Sequence, residues 1–127
     1  MSYYFSKKSA LGFEEAIEKV TEALKNEGFG ILTEIDVKET LKKKLDVEFR
    51  PYKILGACNP PFAYKALQAE DKVGIMLPCN VIVQQKENGV EIAAVDPVAS
   101  MQAIDNPKLG EIANEIRQRL QRVIDSV

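Results

Sequence analysis

Apolar positions along this chain follow two periods, and the switches between them mark its elements. Phe13, Ala16, Ile17, Val20, Ala23 and Leu24 recur every three or four residues, which gathers them on one face of a helix. Leu109, Ile112, Ala113, Ile116, Leu120, Val123, Ile124 and Val127 repeat this over a longer stretch, with Glu111, Arg117, Gln118 and Arg122 turned to water. Between the two helices the pattern shortens to β-rich runs. Residues 29–35, 52–57, 73–85 and 89–95 read as strands, and Tyr3, Tyr4 and Phe5 add an aromatic run of strand character.

Polar punctuation refines these elements. Ser9 is placed to cap the first helix, and Gly28 to end it, because glycine takes the left-handed conformation cheaply. Asp36-Val37-Lys38-Glu39 matches a capping box. It opens a short second helix on which Val37, Leu41 and Leu45 form a narrow apolar stripe. Asn59-Pro60, Asp96-Pro97 and Asn106-Pro107 share one grammar: an acceptor at the cap, then proline at the first helical position. The first of these starts a third helix whose buried face is Phe62, Ala63, Ala66 and Leu67. Asn88-Gly89 signals a tight hairpin turn between the last two strands. Pro78 interrupts the 73–85 strand and implies an edge or a bulge there, since proline donates nothing to a ladder.

The expected fold class is therefore α+β: a single-layer, mostly antiparallel sheet covered on one face by helices, in one domain over residues 1–127. One connection stays open. If a right-handed crossover through the third helix makes the strands around Cys58 and Cys79 parallel, their ends bring the cysteines together. If the strands are antiparallel, a strand-end cysteine and a mid-strand cysteine can lie far apart.

Composition removes several functions. The 127 residues carry 17 Lys and Arg against 19 Asp and Glu, a net charge of −2. That balance gives no basic surface for nucleic acid, and the Lys42–Lys43–Lys44 run reads as a solvated helix face. No apolar stretch reaches the length of a membrane span or a secretory signal, so no membrane partner and a cytoplasmic location are expected. Two cysteines there are thiols rather than a structural bridge. The absence of histidine excludes the usual general base and the commonest metal ligand. No phosphate-binding glycine loop is present; Gly28-Phe29-Gly30 matches only fragments of one. A structural zinc site needs four ligands, and one chain offers two thiolates. Neither a metal nor a cofactor is expected.

The chemistry that remains gathers in residues 54–83, which hold both cysteines, each followed by asparagine: Cys58-Asn59 and Cys79-Asn80. Cys58 immediately precedes a helix start, where amides lower the pKa of a thiol aimed at them. The alternative is a small buried residue filling the core. Cys79 lies between Pro78 and Asn80, where a bulge can turn it out of the sheet. Asn59 is explained by capping alone, and Asn80 by amides freed at a bulge.

These residues also carry a family resemblance. GACNP at 56–60, LPCNV at 77–81 with Gly74 ahead of it, and Asp96-Pro97 after the last strand resemble the bacterial and archaeal family called domain of unknown function 302. The likeness spans nearly the whole chain. It implies a β-α-β(4)-α arrangement with inserted short helices, a homodimer, and a shared role for Cys58, Asn59, Pro60, Pro78, Cys79 and Asn80. It carries over no reaction. The expected function is a homodimeric binding module for an unidentified small molecule, with a polar site at Cys58, Asn59, Cys79 and Asn80. The competing expectation is a thiol-dependent redox or sulfur-handling protein in which Cys58 attacks and Cys79 resolves. Whether there is any catalysis is left open.

Overall fold

The computed structural model describes residues 2–127. Its elements run β1 (Tyr4–Ser9), α1 (Phe13–Asn26), β2 (Gly30–Asp36), α2 (Val37–Leu45), β3 (Tyr52–Cys58), α3 (Pro60–Ala69), a 3-10 stretch (Asp71–Met76), β4 (Cys79–Lys86), β5 (Gly89–Val95), α4 (Pro97–Ser100) and α5 (Pro107–Ser126). The strands form a single sheet in the order β1-β5-β4-β3-β2, and every neighbouring pair is antiparallel. The fold is α+β, with α1 and α5 packed on each other and on one face of the sheet.

The two amphipathic stripes account for this packing. Val20 and Leu24 of α1 and Leu120 and Val123 of α5 are fully buried against Leu55, Val81, Val83 and Ile92 of the sheet. Burying each such side chain contributes about 1.5–3 kcal/mol. A second, smaller cluster of Ala66, Val73, Met101, Leu109 and Ala113 sits where α3, α4 and the start of α5 meet. The opposite face of the sheet is turned away from the cluster that α1 and α5 cover. There the register aligns Ile35, Ile54, Ile82 and Ala93 in one row across four strands.

Several boundaries differ from the sequence pattern, each for a local reason. α1 starts at Phe13 after Gly12, and Ser9 instead accepts from the Leu11 amide at 3.1 Å. The residues read as one strand over 73–85 divide: 71–76 coil into the 3-10 stretch, Leu77-Pro78 is a cis peptide, and β4 begins only at Cys79. The hairpin turn is Glu87-Asn88, with Gly89 already paired to Lys86. α2 buries none of its residues, and Leu45 is 66% exposed, so its stripe is no core face. Leu67 is also exposed.

Other signals are met. The Asp36 carboxylate accepts from the Glu39 amide at 3.0 Å, as a capping box requires. Asp96 accepts from Val98 N at 3.0 Å and Asn106 from Lys108 N at 3.1 Å. Gly28, at φ +89°, closes α1. Lys42 and Lys43 lie exposed and pair with Asp46, Glu48 and Glu39. No helix among the described residues is long and apolar enough to cross a membrane.

Candidate functional site

β3 and β4 are antiparallel neighbours, yet the two cysteines come together. The register pairs Ala57 with Cys79, so Cys58 lies only one residue beyond the partner of Cys79. Cys79 is not mid-strand. The 3-10 stretch takes up the preceding residues and makes it the first residue of β4.

Both cysteines line a cavity of about 30 Å³ at the seam between the two hydrophobic clusters. Phe29, Phe62, Ala63, Leu77, Pro78, Met101 and Ile112 complete much of its wall. A space of this size admits one or two atoms or a water; drug-sized ligands need roughly 300–1,000 Å³. The wall is almost wholly hydrocarbon and sulfur. Cys79 is buried, whereas Cys58 is half-buried.

Asn59 also lines this cavity and is only 6% exposed. It occupies the cap position of α3, but its side chain accepts no bond from that helix. Its Nδ2 turns instead to the C-terminus of α1 and donates to the Glu27 carbonyl at 3.2 Å. Arg119 Nη1 donates to the same oxygen at 3.0 Å. Arg122 then grips the Glu27 carboxylate through Nε at 3.1 Å and Nη2 at 2.9 Å. Beyond its left-handed backbone, Gly28 is needed for space: a Cβ there would stand 3.1 Å from Asn59 Nδ2. Asn59 thus ties the site to the end of α1, which Arg119 of α5 also holds.

Asn80 does not join the others. Alternation along β4 sends Cys79, Val81 and Val83 toward the helices, and Asn80 lies exposed on the opposite face. There it borders a shallow groove of about 450 Å³ with Tyr3, Tyr4, Tyr52 and Gln84. The expected four-residue polar site is therefore a three-residue, mainly apolar one.

The helix-start argument for a reactive Cys58 also fails on chemistry. The first two residues of α3 are Pro60 and Pro61, which have no N–H to offer an anion. Burial pushes the Cys58 thiol up from its ordinary value. Burial, and then the nearness of Cys58, push Cys79 up to about 11. The nearby carboxylates are committed, Glu27 to Arg122 and Asp96 to Val98 and Arg117. Among the described residues no group of three or more His, Cys, Asp or Glu is arranged to hold a metal.

Comparison with known proteins agrees with this architecture. The family described as Domain of unknown function DUF302 matches residues 5–127. The chain belongs to the DUF302 family. A solved DUF302 structure, described as an uncharacterized conserved protein from Bacillus stearothermophilus, is 34% identical, with a TM-score of 0.93 over 99% of this chain and 98% of that one. No curated protein matches. Within this DUF302 domain, sequence reasoning passed over Glu27, Arg119 and Met101. Arg119 left one signal: it sits three residues after Ile116 and four before Val123, on the border of the apolar stripe.

Proposed function

We propose that the protein is a non-catalytic binding domain, a cytoplasmic homodimer, whose ligand site is the cavity at Cys58, Asn59 and Cys79. One observation carries this reading: two thiols share a small apolar cavity in which burial favours their protonated forms. A nucleophilic thiol needs a neighbouring base or cation to hold its anion. The dimer reading draws on the row of Ile35, Ile54 and Ile82 on the other sheet face, where Ile35 is exposed and Ile54 and Ile82 are half-buried.

A brief iodoacetamide pulse at neutral pH, read by peptide mass spectrometry, tests the site. The expected result is that both cysteines alkylate more slowly than a free thiol, Cys58 ahead of Cys79. Alkylation of Cys58 faster than a free thiol favours the thiol-dependent reading instead. Sedimentation tests the assembly, and a monomer at high concentration removes the homodimer.

A further inference from the structure

The cavity holds a third sulfur besides the two thiols. Met101, the residue that ends α4, lines the same space as Cys58 and Cys79 and is itself buried. We propose that Cys58, Cys79 and Met101 form a binding site for a single soft monovalent cation, Cu(I). This deepens the binding reading above and rests on it.

Donor chemistry selects the ion. Thiolate and thioether ligands favour Cu(I), whereas imidazole, absent here, serves harder divalent ions, and oxygen ligands serve Mg²⁺ or Ca²⁺. Three sulfurs fall short of the four ligands of a structural zinc site. The volume agrees, because about 30 Å³ suits one ion and excludes an organic ligand of ordinary size. The two cysteines come from adjoining strands held by the Ala57–Cys79 pairing. The thioether comes on a flexible unbranched chain that can adjust its reach. Cys58 is the more exposed of the two thiols. Binding breaks two S–H bonds and forms three Cu–S bonds, two to thiolates and one to the neutral thioether. Both protons go to solvent, and no electron is transferred. The complex carries a single negative charge, and the Arg119 guanidinium stands 5.1 Å from the centroid of Phe62, a residue of the cavity wall.

The test is an anaerobic titration of the reduced full-length chain with Cu(I). It is read by competition against bicinchoninate and by sulfur-to-copper charge-transfer absorption in the ultraviolet. The expected result is one Cu(I) per chain, with affinity rising roughly 100-fold per pH unit near neutrality as two protons are displaced. Cys58→Ser and Cys79→Ser should each abolish the site. Met101→Leu preserves volume and fold and should weaken binding about tenfold by removing one soft ligand. No uptake, equal affinity in a folded Cys79→Ser or Met101→Leu variant, or Zn(II) binding as tight as Cu(I) overturns the proposal. No uptake together with slow alkylation overturns the copper assignment alone. Rapid alkylation of Cys58 overturns the underlying reading with it.

Discussion

Gly56 is the position where one added methyl group should do most damage for least chemical change. It lies in β3 opposite Thr33 of β2 and Asn80 of β4. A Cβ at Gly56 collides with Thr33 Oγ1 and lies 2.8 Å from Pro78 Cγ. Its backbone is not left-handed, so alanine meets no dihedral penalty and the cost is steric. Thr33 has few rotamers to escape into because it is β-branched, and the Pro78 ring is held at the start of β4. Overpacking of this kind costs about 1–3 kcal/mol. Restricting the unfolded chain returns about 0.4–1 kcal/mol, which leaves Gly56→Ala about 1–2 kcal/mol less stable. With a urea slope of roughly 1.5 kcal/mol per M for a domain of this size, the midpoint should fall by about 1 M. Adding Thr33→Ala removes one of the two obstacles and should restore about half of the loss, a coupling that a double-mutant cycle reads directly. Because Pro78 must also shift, Cys79 should alkylate faster in the single variant. Gly56→Ala within about 0.5 kcal/mol of the parent, or no recovery from Thr33→Ala, would falsify the steric account.

Three further outcomes are expected. Burial holds the Cys79 thiol at about 11 against an ordinary 9.0, so the native state keeps this proton more tightly than the unfolded chain. That contribution is whole below about pH 9 and is lost as pH rises through about 11, a fall of roughly 2–3 kcal/mol. Urea unfolding across that range should show it in the parent and not in Cys79→Ala. Asn59→Ala and Arg119→Ala should each cost about 1 kcal/mol, since each leaves the other donor on the Glu27 carbonyl. The double variant, which bares that oxygen, should cost clearly more than their sum in chemical denaturation. Asp96→Ala frees the Val98 amide and the Arg117 guanidinium at once. A loss of about 2 kcal/mol is expected, and an unchanged thermal midpoint counts against the cap.

The parts of this fold legible in the sequence are those set by local periodicity. The stripes of α1 and α5 and the Asp36, Asp96 and Asn106 caps depend on neighbours within four residues, and their spacing displays them directly. Val73 illustrates the limit. Its β-branched, apolar surroundings resemble a strand, but its fully buried side chain packs with Met101 and Leu109, residues the local pattern cannot connect to it. Asn59 shows the same limit at the site. Its sequence context is that of a helix cap, while its actual partner is a carbonyl 32 residues away. The closeness of Cys58 and Cys79 depended on strand register, which a proline and a 3-10 stretch reset together. Alternation along β4 was enough to separate Cys79 from Asn80 once the first residue of that strand was fixed.

The Glu27 carbonyl has a bearing on how this chain comes into being. One of its donors, Arg119, is made 92 residues after it, and β1 waits for β5 before it has any partner. A ribosome releases the chain from the other end. The first helix therefore emerges with an unfinished terminus, and it stays so until α5 has been made. Assembly of the domain waits for β5 and α5, because contacts between its earliest and latest elements close only then.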